Sequence, residues 1–435
     1  MNARVPGSAA DYLGAFRRIS GILPGQHLDW LRQARAEAIG RFSQQGFPTL
    51  HDEDWKYTSV ASIEKGRFNI LPTASDNLLA PQVALHALPD SHLLVFVNGR
   101  LDPGLSRPGR LPPGTVLSSL AYQLEQDQDW PEDTLVTYPP ASPFADLNLA
   151  FMADGAYVRL PPEAALAAPI QLLFITSEAN LAVQPRNLLV AGAGSSASIV
   201  EQHVALGESS YFTNTVTDIL VGSGATLEHH KVQQESPAAF HIATVNVSQA
   251  AKSRFTSTSF ALGARLARTG IAVKFQAEDA HCTLDGLYLS DGRQHVDHHT
   301  WIDHQKPRCT SRELYKGILN GASRAVFNGR VVVHPDAQGS DAQQTNHNLL
   351  LSENAEIDTK PQLEIWADDV KCSHGATVGQ LDEDQVYYLR ARGIGEASAR
   401  VILTRAFAKE IIDRVGPLSL QERLDQLLQH KLPRQ

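Results

Sequence analysis

The sequence predicts a mainly β protein with a helical region at each end. From about position 93 onward, apolar and polar residues alternate in short segments such as Leu93 to Val97 and Ile170 to Ile175. This alternation is typical of strands with one buried face. Few long helical patterns separate the segments, so a doubly wound sheet built from βαβ units is not expected. A parallel β-helix and a large β-sandwich both fit the pattern, which favours the β-helix slightly.

An internal repeat is the observation that favours stacked turns. Gly192 and Gly194 precede a strand-like segment at 198–204, and Gly222 and Gly224 precede a similar one at 226–232, about 30 residues later. Repeats of this length are typical of solenoids, in which each turn buries its inward residues against the next. The exposed end turns then need covers, which the helical regions at both ends of the chain can supply. We therefore expect three parts, at residues 1–90, 91–378 and 379–435.

Helices dominate the N-terminal part. Apolar residues at helical spacing predict helices at 9–19 and at 29–45, the second ended by Gly46 and Pro48. The segment 51–59 contains Trp55, which we expect to pack against the core. Residues 71–90 are rich in Pro, Ala and Ser and are interpreted as a linker.

Helices also follow the β region. Asp382 is a predicted helix N-cap, and the helix at 396–415 carries an apolar stripe that Gly416 and Pro417 end. Ser419 and Glu422 predict a capping box for a last helix. Such stripes usually pack helix on helix, but an exposed face is also a candidate partner surface, with these residues: Arg400, Leu403, Phe407 and Ile411.

Composition restricts the class of protein. With 38 basic and 47 acidic residues the net charge is −9, which argues against nucleic acid or an anionic membrane as the main partner. Three cysteines in 435 residues do not form a disulfide framework, so a reducing compartment such as the cytoplasm is expected. No apolar run reaches the length of a transmembrane helix, and the first 20 residues lack the apolar core of a signal peptide.

The densest set of chemically capable side chains lies near residues 368–374. An alternating strand pattern leads into Cys372 and His374, which are two residues apart and so share a face on extended chain. Thiolate and imidazole suit iron, zinc or iron-sulfur sites. Two ligands are too few for a closed site, which usually takes four, so other segments or another chain must supply the rest.

Other candidate sites carry weaker signals. The stretch 295–309, HVDHHTWIDHQKPRC, is dense in metal-ligating types, but His295 and His299 have helical spacing in a region without a helical pattern, so we expect no shared face. His281 and Cys282 are expected to be core residues. The glycines at 192 and 194 lead into a strand and lack a following Lys-Ser/Thr, so no phosphate-binding loop is predicted.

Three stretches resemble the SufB/SufD family of iron-sulfur cluster assembly proteins: EIDTKPQLEIWADDVKCSHGATVGQLDEDQVYYLRARGI (356–394), SRELYKGILNGASRAVFNGRVVV (311–333) and PFADLNLAFMADGAYVRLP (143–161). The resemblance covers most of the chain from about position 90. The chain is more similar to SufD than to SufB, because it is shorter and lacks a cysteine-rich N-terminal CxxC-type motif.

The resemblance implies a right-handed parallel β-helix and a scaffold subunit that is not an enzyme. It implies pairing with a SufB-like paralogue, self-pairing when that paralogue is missing, and docking of the ATPase SufC on the C-terminal helices. A transient iron-sulfur cluster or iron would be shared with SufB, with His374 and Cys372 as candidate ligands, and ATP would act only through SufC. The participation of a flavin stays open.

A second hypothesis is a β-helix enzyme that acts on polysaccharide with paired carboxylates. Candidate pairs are Asp368 with Asp369 and Asp297 with Asp303. Adjacent carboxylates on a strand point to opposite faces, so the first pair is a poor acid and base couple. The missing secretion signal and disulfide framework also count against this hypothesis.

Overall fold

The computed structural model describes residues 4–5, 9–72, 80–126 and 142–432. Its N-terminal part contains mainly helices, whose bounds are α1 Ala9–Ile19, α2 Asp29–Gln45, α3 Ala61–Glu64, α4 Ala80–Ala84, α5 Leu120–Leu124 and α6 Pro143–Phe151. Two short strands, β1 Arg4–Val5 and β2 Phe68–Asn69, pair antiparallel. The predicted linker at 71–90 lies partly outside the described residues, at 73–79, and α4 occupies part of the remainder.

Twenty further strands form the β region. In chain order they are β3 His92–Val97, β4 Arg100–Leu101, β5 Val116–Ser119, β6 Ala156–Leu160, β7 Ile170–Thr176, β8 Ala182–Val183, β9 Arg186–Ala191, β10 Ser196–Ala205, β11 Phe212–Val221, β12 Thr226–Gln234, β13 Phe240–Gln249, β14 Arg254–Ala261, β15 Leu266–Phe275, β16 His281–Ser290, β17 His295–His304, β18 Thr310–Leu319, β19 Arg324–Val333, β20 Asp341–Leu350, β21 Glu356–Ile365 and β22 Lys371–Gly379.

These strands build a parallel β-helix from two facing ten-stranded sheets. Sheet I has the order β22-β20-β18-β16-β14-β12-β10-β7-β3-β4, and sheet II has the order β21-β19-β17-β15-β13-β11-β9-β6-β5, with β8 added beside β11. Every pairing from β10 to β22 is parallel, and the turns of sheet I repeat every 27 to 31 residues along the series Ser196, Thr226, Arg254, His281, Thr310, Asp341, Lys371. The predicted β-helix and its repeat of about 30 residues are confirmed.

The two sheets enclose a continuous interior. Strand side chains alternate between the interior and the outer face, and the inward positions form one large apolar cluster that runs from Leu94 to Ala367. Some inward positions are charged: Glu201, His203 and Lys231 are fully buried and bonded to one another or to neighbouring polar groups. Burial of the apolar positions, at roughly 25 cal/mol per Å², is the main force that holds the turns together.

The N-terminal helices cover the outer face of sheet II. Tyr12 and Phe42 pack with Phe144 of α6 and with outward aromatic residues such as Phe212. Trp55 is buried as predicted, and the Arg268 guanidinium lies 3.8 Å from its ring centroid. The predicted helix at 29–45 is confirmed at both ends.

Three helices follow the last strand and cover the outer face of sheet I: α7 Glu383–Ala391, α8 Glu396–Ile412 and α9 Leu418–Lys431. The predicted cap at Asp382 is confirmed, because its carboxylate accepts a hydrogen bond from the Asp384 amide. The predicted capping box at Ser419 is wrong: α9 begins at Leu418 with Pro417 at the N-cap and no side-chain cap. Within the described ranges, no helix is long and apolar enough to cross a membrane.

Candidate functional site

The last turn of the β-helix differs from every turn before it. Its strands β21 and β22 stand at the ends of their sheets, so each pairs on one side only. Nearly every residue of β22 is exposed, whereas the two preceding strands of sheet I, β18 and β20, are mostly buried or half-buried. The helices α7 to α9 pack beside this turn on the outer face of sheet I and do not close it.

The free edge of β22 presents unpaired backbone groups. The Lys371 amide donates to the Ser340 carbonyl on the β20 side. In a parallel ladder alternate residues face the same neighbour, so the N–H and C=O groups of Cys372, His374 and Ala376 face away from β20. On β21 the Glu356 amide bonds to the β19 side, which places Pro361 among the edge-facing residues, and proline has no N–H to offer.

Cys372 and His374 lie together on the interior face of β22. Cys372 is in register with Ala342, half-buried, and packed against the interior apolar cluster. Burial raises the pKa of its thiol. His374 is in register with Gln344 and is exposed, because no further turn covers it. The shared face expected from their spacing is therefore present.

These two side chains do not complete a metal site within this chain. Across the residues that the structure describes, no group of three or more His, Cys, Asp or Glu side chains has the proximity to hold a metal ion. The arrangement supplies two donors at an open end. Their role as ligands stays a prediction.

Exposed apolar side chains surround the same end of the β-helix. Ile365, Trp366 and Val378 are 41%, 67% and 49% exposed. An exposed apolar patch beside free strand edges is typical of a surface that a protein partner covers. The sequence analysis missed this patch; the signal that was present is Trp366, an aromatic residue that directly follows the strand.

The histidine-rich stretch at 295–309 requires a correction. It begins with strand β17, on which residues four apart share a face because the strand period is two. His295, Asp297 and His299 therefore point together to the outer face of sheet II. The expectation that the two histidines would not share a face was wrong.

This cluster is already satisfied by protein groups. Thr58 donates to the Asp297 carboxylate and lies 3.0 Å from His295 Nε2, Arg268 donates to Asp297, and His299 Nε2 lies 3.1 Å from Asp297 Oδ1. Burial alone would raise the pKa of Asp297, but Arg268 and His299 outweigh it and lower that pKa. The cluster fastens the N-terminal segment to sheet II, and Asp297 is not accessible as a catalytic carboxylate.

The other two cysteines are structural. Cys282 and Cys309 are buried in the interior cluster, and burial is the main cause that raises the pKa of both thiols. Cys309 Sγ also lies 3.4 Å from the Ala277 carbonyl oxygen. The expectation that Cys282 is a core residue is confirmed.

The candidate docking residues on α8 do not share one environment. Arg400 is exposed and bonded to Glu383 at 2.9 Å, and Leu403 is half-buried. Phe407 packs under the Lys316 ammonium, which lies 4.3 Å from its ring centroid. Ile411 is fully buried against sheet I, so it does not belong to an exposed face, contrary to expectation. The exposed apolar residue of this helix is Ile402, which is 45% exposed.

The fold and its open last turn define a class: a parallel β-helix with helical layers on both sheets and one uncovered end that carries two donor side chains. Two family models match nearly the whole chain. The SufBD protein N-terminal region matches residues 7–172, and the SufBD core domain of SUF system FeS cluster assembly matches residues 174–407. The chain therefore belongs to the SufBD family of iron-sulfur cluster assembly proteins.

Individual relatives agree. The chain is 36% identical to an iron-sulfur cluster assembly SufBD family protein of Synechocystis, over 91% of this chain and 89% of the relative. It is 33% identical to the iron-sulfur cluster assembly protein SufD of Escherichia coli, over 89% of this chain and 90% of the relative. It is also 29% identical to the chloroplastic protein ABCI7 of Arabidopsis thaliana, over 91% and 83% of the two chains. The resemblance to the SufD branch is thus supported by a relative of that name.

Proposed function

We propose that this chain is the SufD-like scaffold subunit of a cytoplasmic SUF complex. It pairs with a SufB-like paralogue through the edge of β22 and the exposed patch at Ile365, Trp366 and Val378. A transient iron-sulfur cluster or iron ion, the cargo of the complex, is bound between His374, Cys372 and residues of the paralogue. The observation that carries this proposal is the uncovered last turn, which presents an incomplete donor set beside an unpaired strand edge.

Chemistry on nucleotides belongs to a second partner in this proposal. A SufC-like ATPase binds the exposed side of α7 and α8, around Ile402 and Arg400. Nucleotide binding there changes the access to the shared site. The chain itself is not an enzyme, and the polysaccharide hypothesis is not favoured, because Asp297 is engaged by three protein groups and the family match points elsewhere.

Co-purification tests the partner assignments. The tagged chain, expressed with its paralogue and the ATPase, is expected to retain both partners. Ile402→Glu is expected to reduce ATPase retention at least tenfold and leave the paralogue bound. Glu422→Lys, on the exposed side of α9, serves as a control for a surface charge change. Equal ATPase retention by all three proteins would contradict the docking surface.

Cluster assembly tests the shared site. His374→Ala is expected to leave folding and complex formation intact, because the side chain is exposed, and to reduce the iron and sulfide retained by the purified complex. His430→Ala provides a control histidine on α9 that lies outside the last turn. Stoichiometric iron binding by the isolated wild-type chain would contradict a site shared with a partner. When the paralogue is absent, we expect the chain to form dimers through the same edge.

A further inference from the structure

A column of polar side chains lies inside the β-helix beneath His374. Glu313 on β18, Gln344 on β20 and His374 on β22 occupy the same position on successive turns of sheet I. Glu313 and Gln344 are 4% and 1% exposed, so the column begins in the closed interior and reaches solvent at His374. Interior positions of a β-helix are normally apolar, which makes this column unusual.

The amide of Gln344 is held from below. Its Nε2 donates to Glu313 Oε2 at 2.6 Å. Across the interior stands Gly329 of β19, where an added Cβ would lie 2.1 Å from Gln344 Nε2. The absence of a side chain at Gly329 therefore makes room for the amide group.

The remaining amide atom has no protein partner. Gln344 Oε1 is buried and accepts no hydrogen bond from the described residues. A buried acceptor without a partner costs about 1–3 kcal/mol. Elsewhere the chain joins residues in register on neighbouring turns, as Asn246 Nδ2 donates to Asp218 Oδ1 at 2.8 Å. The residue in register with Gln344 on the next turn is His374, whose imidazole carries an N–H.

We propose that Gln344 is a positioning residue for His374: its Oε1 accepts the ring N–H of His374 when a partner covers the last turn. This bond fixes the tautomer and the ring orientation, so that the other ring nitrogen faces the shared site. Histidines that bind metals usually donate their second ring nitrogen to such an acceptor. The inference rests on the proposed function, because it takes His374 as a ligand.

Ferrous iron alone is the probe for the first experiment. The complex of chain, paralogue and ATPase is titrated anaerobically with Fe(II), for wild type and for Gln344→Met, which keeps the side-chain length and removes the acceptor. We expect an iron affinity lower by about 10- to 100-fold, with the thermal midpoint and the co-purified partners unchanged. Gly329→Ala, which displaces the amide without changing β20, is expected to act in the same direction and serves if Gln344→Met fails to fold.

An exchange of the two polar residues provides the rescue. In the double variant Glu313→Gln with Gln344→Glu, the interior hydrogen bond is kept and residue 344 still offers a free oxygen to His374. We expect its iron affinity to return to within about threefold of wild type, given that the same bonds are restored. A purely structural role for Gln344 would instead predict equal iron affinity for wild type and Gln344→Met, and that result would overturn the proposal.

A second measurement separates this inference from the proposed function. Nitrogen-15 labelling of the histidine rings in the chain, within the unlabelled complex, reports the tautomer of His374 directly, with His374→Asn used for assignment. One tautomer should dominate in wild type, and both should be populated in Gln344→Met. If His374→Ala binds iron as wild type does, the ligand assignment fails while the tautomer result still decides the role of Gln344. The same tautomer ratio in both proteins would refute it.

Discussion

The two ends of the β-helix are built differently. At the first end, each sheet finishes with a short antiparallel strand, β4 of two residues and β5 of four, and the carboxylate of Asp154 binds the amides of Leu101, Ala121 and Gly155. At the last end, β21 and β22 are ten and nine residues long and parallel to their neighbours, with a free edge. Natural proteins normally shorten or cover edge strands to prevent association. The contrast indicates that the first end is closed against partners and that the last end is kept open for one.

The largest expected effect is the loss of the closed end. Asp154 accepts four hydrogen bonds, including one from Ser119 Oγ at 2.6 Å, and is 7% exposed. Asp154→Ala leaves these donors unsatisfied, and we expect a destabilisation of about 3–5 kcal/mol, measured by urea unfolding. Asp102→Ala, which removes a half-buried carboxylate that bonds two amides at the same end, is the control and should cost about 1 kcal/mol. Similar losses in both variants would show that Asp154 has no special role.

The interior below the open end gives the next effect, which depends on pH. Burial raises the pKa of Glu313 from 4.5 to about 7. The folded chain therefore holds this proton at pH values where the unfolded chain has released it, so the free energy of unfolding falls as pH rises from about 4.5 to 7. Glu313→Gln should remove that fall and be more stable than wild type at pH 8 by roughly 3 kcal/mol.

Unfolding midpoints of wild type and Glu313→Gln, measured between pH 4.5 and 8, test this expectation. The two curves should meet near pH 4.5 and separate as pH increases. Glu353→Gln, an exposed acid in a turn, is the control and should follow wild type throughout. Parallel curves for Glu313→Gln and wild type would exclude a protonated Glu313 at neutral pH.

A smaller effect is expected at the free edge of β22. Ala376→Pro removes an edge-facing N–H and leaves the ladder to β20 in place, so the thermal midpoint should change little. Binding of the paralogue should weaken about tenfold, which corresponds to one or two lost hydrogen bonds, as measured by titration calorimetry. Ala376→Val keeps the N–H and is the matched control. Unchanged binding by the proline variant would exclude strand pairing at this edge.

The smallest effect concerns β21. Pro361→Ala restores an edge-facing N–H on the second free strand, and we expect a few-fold increase in self-association, measured by sedimentation velocity. The proline thus directs pairing toward β22. Identical sedimentation of variant and wild type would show that Pro361 does not limit association at β21.

The sequence predicted the β-helix, its repeat length, helix α2 and the pairing of Cys372 with His374 on one face, because each follows from local periodicity or spacing. It did not reveal that Ile411 is buried, since an apolar stripe does not say whether it faces another helix, a sheet or a partner. The cluster around Asp297 was misjudged because strand parity was not applied to His295 and His299. Gln344 could not have been selected at all: its position beneath His374 depends on the register of β20 and β22, which lie 30 residues apart.

The N-terminal segment has a consequence for how the chain acquires its structure. Glu53 bonds to Lys360 of β21, a separation of 307 residues, and Thr58 and Trp55 contact Asp297 and Arg268. During synthesis from the N-terminus, this segment has no docking surface until nearly the entire β-helix has been made. Contacts between such distant residues slow folding and leave apolar helices exposed for longer. The helices α1 and α2 are therefore the part of the newborn chain that most needs protection from aggregation.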